Sequence, residues 1–321
     1  MNNIEKMNLL VTVAKLYYEH NLSQQVIAEK TGFSRPYISK LINEARVLGI
    51  VEIKIHDPNA AESQLERIVR ETFALQKVII IPSVDGINEP LLLDKLAEAT
   101  ARYLYTIVTD NDVIGVSWGS TLYVCASKLR VAEEVKNISV VQMCGAISMT
   151  DKNIYATEIP KKFADAYKGT PYLLPLPAVV DDIDVKNAIL KDKNINGIIE
   201  LGKRANIGLF SVGVFGHNRT LSRAGYISDR KVAELLQKGA IADMLSRIIN
   251  IKGQICDEEL NQRTIGIDLE DLKNKKYSIM VSGGLYKTEC MYAALVGGYA
   301  NVLITDEATA QEIVKLHARL Q

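Results

Sequence analysis

Residues 23–43 read Ser23-Gln-Gln-Val-Ile-Ala-Glu-Lys-Thr-Gly-Phe-Ser-Arg-Pro-Tyr-Ile-Ser-Lys-Leu-Ile-Asn43. Ser23 is a good N-cap, because its hydroxyl can accept from an otherwise unpaired first-turn amide, and it opens a short helix over residues 24–31. Gly32 ends that helix in a tight turn, and Ser34 offers a second N-cap for a helix running to about Val47. Ile27, Phe33, Ile38 and Leu41 fall where two crossed helices must touch, and Ala28 is small where they come closest. This spacing is the helix-turn-helix pattern. Once the core positions are removed, Ser34, Arg35, Pro36, Ser39, Lys40 and Asn43 remain on one outward face. They are short polar or cationic residues suited to phosphates and to base edges in a major groove, with Arg35 and Lys40 the natural guanine readers. A plain helical hairpin with a solvated polar face is the simpler alternative for these residues, and the register of caps, glycine and core positions favours DNA binding over it.

Working outward, Ile4, Met7, Leu10, Val11, Ala14, Tyr17 and Tyr18 recur at helical spacing before the motif, which predicts an amphipathic helix that Asn21 and Leu22 break. After the motif, Ile50-Val-Glu-Ile-Lys-Ile55 alternates apolar and polar, as a strand or hairpin wing would. The first domain is therefore expected to span residues 1–58 and to be all-α, winged. A second domain fills residues 59–321, with a lead-in helix over residues 59–75.

From Lys77 the pattern changes. Short apolar runs at residues 78–81, 113–117, 139–144, 207–214, 277–282 and 301–305 alternate with helical stretches at 91–108, 229–249 and 288–297. That alternation predicts a mostly parallel, doubly wound α/β sheet, whose ligands bind beyond the carboxyl ends of the strands. Three places at those ends carry chemistry. In Gly115-Val-Ser-Trp-Gly-Ser-Thr121, Gly119, Ser120 and Thr121 join a close-approach glycine, two hydroxyls and the amides of a helix N-terminus, the groups a phosphate monoester needs. A simple capped connection would use the same residues. In Val281-Ser-Gly-Gly-Leu-Tyr-Lys287, Lys287 adds a positive charge near the sheet edge, unless it is an ordinary surface lysine. Asp243, following small residues, can accept hydrogen bonds from sugar hydroxyls, or be an exposed helix acid. Cys144 ends a strand beside these places and is otherwise read as a small buried hydrophobe.

The totals narrow the function. Thirty-eight basic residues balance 38 acidic ones, so the chain does not coat nucleic acid through bulk charge, although a local DNA-reading face remains open. Hydrophobic residues make up 48% and charged residues 24%, values of a folded globular protein. No run approaches the roughly 18 apolar residues of a membrane helix, and no secretory leader is evident, so a cytoplasmic protein without a membrane partner is expected. The four cysteines and four histidines are scattered, so neither structural zinc nor disulfides are expected. There is no paired carboxylate beside a histidine and no base beside a nucleophile, which sets aside the rival class of a sugar-phosphate isomerase-like or aldolase-like enzyme and leaves no catalytic residue or cofactor to assign.

The whole chain resembles the SorC-type sugar-responsive transcription regulators. The resemblance rests on Leu16-Tyr-Tyr18, Ser34-Arg-Pro36, Gly115-Val-Ser-Trp-Gly-Ser-Thr121, Arg223-Ala-Gly-Tyr226, Gly239-Ala-Ile-Ala-Asp243, Ile265-Gly-Ile-Asp268 and Gly283-Gly284 through Lys287. Leu174-Pro-Leu-Pro177 and Asp184-Val-Lys186 look nearest to the branch of deoxyribonucleoside-operon regulators. The resemblance implies a large domain similar in fold to sugar-phosphate isomerases, which binds a sugar phosphate without turning it over, and assembly as a dimer or tetramer on palindromic operator DNA. It implies that Gly119, Ser120, Thr121 and Lys287 hold phosphate and that Asp243 touches the sugar, with Arg223 a further candidate for an anionic group. In the nearest branch the position matching Cys144 can carry a lysine able to form a Schiff base. Cysteine there excludes an imine at that position.

Overall fold

The computed structural model describes residues 3–51, 62–82, 88–146, 155–217, 219–223 and 225–321. Residues 52–55, which the alternation reads as part of a wing, lie outside the described residues. The chain divides into two compact units, residues 1–61 and 62–321.

Unit one consists of α1 (Asn3–Tyr18), α2 (Gln24–Thr31) and α3 (Arg35–Val47). The caps work as their chemistry predicts. Ser23 Oγ accepts from the Val26 amide, and Ser34 Oγ accepts from the Tyr37 amide. Gly32 adopts φ +73°, and its amide closes α2 on the Ala28 carbonyl. Leu10, Val13, Ala14, Ile27, Ala28, Ile38, Leu41, Ile42 and Ala45 form one buried cluster. Phe33 departs from the expectation: it is 38% exposed. It sits in the turn itself, beyond the reach of the helix crossing, and packs its ring on Tyr37 at 5.2 Å.

Unit two runs α4 (Gln64–Thr72), β1 (Lys77–Ile81), α5 (Glu89–Ile107), β2 (Val113–Val116), α6 (Ser120–Lys128), β3 (Ser139–Gln142), α7 (Glu158–Ala166), β4 (Thr170–Tyr172), α8 (Ile183–Ile189), α9 (Lys193–Arg204), β5 (Ile207–Phe210) and β6 (Gly213–Val214). It continues through α10 (Thr220–Arg223), α11 (Asp229–Gln237), β7 (Ala240–Met244), β8 (Arg247–Asn250), α12 (Glu258–Arg263), α13 (Leu269–Lys273), β9 (Tyr277–Val281), α14 (Thr288–Val296), β10 (Val302–Asp306) and α15 (Glu307–Leu320). Seven strands form a sheet in the order β1-β10-β9-β5-β2-β3-β4, every pair parallel. Apolar side chains alternate across it. Phe210, Met280 and Leu303 enter a core with Met291 and Ile313, while Leu209, Ile279 and Ile304 enter a second core with Leu96, Leu122 and Phe163. A sheet covered on both faces is the expected setting for such near-continuous apolar strands.

The connections decide where a ligand can bind. From β2 the chain adds β3 and β4 toward one edge, and from β5 it adds β9 and β10 toward the other. The direction of winding therefore reverses between the neighbouring strands β2 and β5, and sheets of this kind bind their ligands beyond the carboxyl ends at such a reversal.

One predicted helix is wrong in half its length. The stretch 229–249 is helical only through Gln237; Gly239 (φ +84°) then turns the chain into the antiparallel hairpin β7–β8. Ala240–Met244 alternates buried and half-buried, the strand period, and Leu245 and Ser246 both take positive φ in the two-residue turn. With β6 the hairpin makes a second, three-stranded sheet. The predicted strand over 207–214 is likewise two strands, β5 in the main sheet and β6 in the small one. The predicted strand over 139–144 ends at Gln142, and Cys144 makes an isolated bridge to Gly266.

Candidate functional site

On α3 the apolar side is fully committed to the core of unit one, which leaves the opposite face to solvent. Ser34, Arg35, Pro36, Ser39, Lys40 and Asn43 are all exposed. Arg35, Ser39, Lys40 and Asn43 make no side-chain hydrogen bond or ion pair among the described residues, so their donors are free for another molecule. Residues 35, 39 and 43 lie four apart, one above the other on the helix. The neighbouring charges are spoken for: Glu44 is paired with Lys6 of α1, and the Arg46 guanidinium donates to the Tyr18 hydroxyl at 2.6 Å. The result is a polar stripe with two unpaired cations and no competing acid.

In unit two the loop after β2 starts at the winding reversal. Trp118 packs against three of the unit's hydrophobic clusters, and its indole N–H donates to the Gly145 carbonyl at 3.2 Å, tying the β2 loop to the β3 loop. Gly119 follows at φ +124° as the N-cap of α6, and no side chain caps that helix. Ser120 is exposed and Thr121 buried. The first-turn amides of α6 therefore form an anion-ready terminus at the winding reversal.

Cys144, just past the end of β3, is buried, and burial pushes its thiol up to about 12; Asp243 works in the same direction, while Arg247 and hydrogen bonds from Trp118 oppose it. Asp243 lies on β7 opposite Gly213 of β6, not on a helix. Burial raises its carboxyl to about 7, against the Ser246 amide that donates to it. The Cys290 Sγ donates to the Ile241 carbonyl at 3.3 Å, and its thiol, raised to about 12 by burial, responds to both Lys287 and Asp243. Lys287 closes the 3-10 turn Leu285–Lys287 ahead of α14. Burial lowers its ammonium, which lies 5.7 Å from the Tyr286 ring centroid and makes no hydrogen bond or ion pair among the described residues.

Of the residues expected from sequence, Asp243 lies near Cys144 on one side and near Cys290 on the other, and Cys290 in turn lies near Lys287. Gly119–Thr121 follow Trp118, whose indole bonds the Gly145 carbonyl next to Cys144. Arg223 stands apart on the exposed short helix α10. The glycine turn contributes Lys287 but not the Gly284 amide, which is already donated to Asp306 Oδ2 (2.8 Å) and Thr309 Oγ1 (2.9 Å).

Sequence reasoning missed several groups here. Ser211 and Ser282, at the carboxyl ends of β5 and β9, have buried hydroxyls with no hydrogen-bond partner among the described residues. Arg247 is fully buried beneath Cys144, its guanidinium donating to the carbonyls of Ile267 and Asn261 and to Asp268 at 2.7 Å. A lone arginine inside an apolar run, Met244 to Ile249, is the signal that would have found it. Among the described residues no group of three or more His, Cys, Asp or Glu side chains could hold a metal ion, and no helix is long and apolar enough to cross a membrane.

The family described as "Putative sugar-binding domain" matches residues 57–315. The chain is 41% identical over 314 residues to the deoxyribonucleoside regulator of Bacillus subtilis, covering 97% of this chain and 98% of that one. The crystal structure of the full-length sorbitol operon regulator SorC from Klebsiella pneumoniae superposes with a TM-score of 0.77 at 25% identity, over 98% of this chain and 99% of the other. A domain of a possible sugar-binding transcriptional regulator from Arthrobacter aurescens superposes with a TM-score of 0.73 at 30% identity, over 81% of this chain and all of that domain. These relatives are regulators rather than enzymes, and the first two span both units of the chain. A helix-turn-helix unit with a free polar face, joined to a sugar-binding α/β unit, places the chain in the SorC-type family of sugar-responsive, DNA-binding transcription regulators.

Proposed function

We propose that the protein is a cytoplasmic repressor of a carbohydrate or nucleoside catabolic operon, released from DNA by a phosphorylated sugar. The observation that carries this reading is Lys287: a half-buried lysine whose ammonium makes no hydrogen bond or ion pair among the described residues, in the loop after β9, as the uncapped N-terminus of α6 is in the loop after β2. A partly desolvated cation without an anion is unfavourable, and a phosphate dianion is the ligand that both features would stabilise. The amides of Gly119, Ser120 and Thr121, the two hydroxyls and Lys287 hold the phosphate. Asp243 hydrogen-bonds the sugar hydroxyls, and Cys144 lines the crevice between them without forming an imine.

On the DNA side, Ser34, Arg35, Pro36, Ser39, Lys40 and Asn43 enter a major groove, and the protein acts as a dimer or tetramer on a palindromic operator with half-sites about one helical turn apart or a multiple of it. A footprint consisting of one short unpaired site contradicts that arrangement.

A thermal-shift comparison tests the effector class with 2-deoxyribose 5-phosphate, ribose 5-phosphate, glucose 6-phosphate and sorbitol 6-phosphate, each beside its free sugar. A compound at a hundredfold excess over its Kd stabilises the protein by about 2.7 kcal/mol. At least one phosphorylated compound is expected to raise Tm while its free sugar does not, and Lys287→Met to abolish the rise. Equal shifts from free and phosphorylated forms contradict the phosphate site.

A further inference from the structure

The glycine turn that presents Lys287 is fastened to a different helix from the one it precedes. Asp306 ends β10 and caps α15, its Oδ1 accepting from the Thr309 amide at 3.0 Å. Its Oδ2 accepts from the Thr309 hydroxyl at 2.7 Å and from the Gly284 amide at 2.8 Å, while Thr309 Oγ1 accepts from that same amide at 2.9 Å. Both Asp306 and Thr309 are buried. The approach is close: a Cβ on Gly283 would meet Asp306 Oδ2 at 2.5 Å and a Leu96 methyl at 3.0 Å. Any movement of the turn is therefore passed to the carboxylate of Asp306 and so to the first turn of α15.

The far end of α15 reaches α4. The His317 ring lies 5.2 Å from that of Phe73, the residue that ends α4. Tyr292 of α14, the helix that begins at Thr288 directly after Lys287, lies 6.0 Å from the same Phe73 ring and 6.0 Å from His317. α14, which follows the glycine turn, and α15, whose cap residue is bonded to it, thus converge on one aromatic residue. At its other end α4 opens with the Ser63–Glu66 capping box, and Glu66 Oε1 also accepts from the Ile80 amide of β1 at 3.0 Å. α4 is the first helix after the boundary between the two units.

We infer that Asp306 is a positioning residue for the regulatory response, fastening the Gly283–Gly284 turn to α15 so that loading of Lys287 shifts α15, and through Phe73 the helix α4 that leads in from the DNA-binding unit. The inference rests on the proposed phosphate site at Lys287. Asp306 touches neither DNA nor effector in this scheme; it sets how strongly one site feels the other, which is a coupling between two bindings.

The test uses the full chain, a fluorescent operator fragment defined by footprinting, and the four sugar phosphates named above. In the wild type a saturating compound should weaken operator binding roughly 5- to 150-fold. In Asp306→Asn one of the two acceptor oxygens becomes a donor, so the Gly284 and Thr309 amides cannot both be held. The expected result is that the weakening falls below about twofold, while affinity for the compound and unliganded operator affinity each stay within about threefold of wild type. Thr309→Val, which removes the second acceptor of the Gly284 amide, should lose part of the response in the same way and serves if Asp306→Asn does not fold. Hydrogen exchange gives an independent readout: the amides of α4 should change protection on adding the compound in the wild type and not in the variants.

A full response in both variants overturns the inference. Loss of compound binding itself in both also overturns it, because Asp306 would then belong to the binding site rather than to the coupling. A wild type that ignores all four compounds overturns the Lys287 site first and the coupling with it, an outcome distinguishable from the others because the unmutated protein already fails.

Discussion

Asp243 carries the clearest pH signature in the molecule. Its carboxyl is raised by burial to about 7 from an ordinary 3.8. Between those two values the folded chain keeps a proton that the unfolded chain has released, so stability falls as pH rises through that window and stays low above it. An asparagine keeps a carbonyl oxygen for the Ser246 amide and has no charge to desolvate. Asp243→Asn is therefore expected to match the wild type below pH 4 and to be more stable by about 2 to 4 kcal/mol at pH 8, as read by urea unfolding at both pH values. A difference that does not vary with pH contradicts the buried-carboxylate account. The same residue shows what sequence alone withholds. Its acidic side chain is plain in Gly239-Ala-Ile-Ala-Asp243, but its burial between two thiols depends on strands that lie far apart in the chain.

At the scale of the element, what was legible follows from local chemistry. Ser23, Gly32 and Ser34 each act through groups within a few residues of themselves, and they are found as caps and turn where the spacing places them. β1, β2, β9 and β10 are short apolar runs whose burial on both faces needs no knowledge of partners. The hairpin β7–β8 was read as helix because Ala240 to Ile249 lacks proline, and its turn residues, Leu245 and Ser246, are not the Asn-Gly pair that announces a two-residue turn. Both sit at positive φ, 49° and 65°, and the Ser246 hydroxyl is buried without a partner among the described residues. Ser246→Gly removes the left-handed strain and the orphan hydroxyl together, and is expected to raise stability by about 1 kcal/mol in thermal or urea unfolding. A loss of that size would mean that the hydroxyl has an important partner. On α3, Arg35→Ala and Lys40→Ala should each weaken operator binding by about 1 to 3 kcal/mol if they read bases; unchanged affinity in both variants would remove α3 from the DNA interface.

Across the whole molecule, the two units follow different physical rules, and the candidate sites follow from them. Unit one is a small helical body whose core consumes one side of α3 and leaves the other side free. In unit two the proposed site lies where the sheet reverses its winding, the place at which sheets of this kind bind ligands. Gly119, Ser120, Thr121 and Lys287 were legible as phosphate-binding chemistry one at a time. That the loops after β2 and β9 leave the same end of the main sheet follows from its strand order, β9-β5-β2-β3, and that Asp243 stands on a second sheet, β6-β7-β8, is something no local pattern reveals. If the two units form one regulator, effector binding in one must change operator binding in the other, and operator binding measured as a function of added sugar phosphate tests that coupling most directly. A sugar phosphate that raised Tm should also raise the operator Kd of the wild type by about 5- to 150-fold, with the free sugar inert. An operator Kd that stays constant while the crevice fills would contradict it.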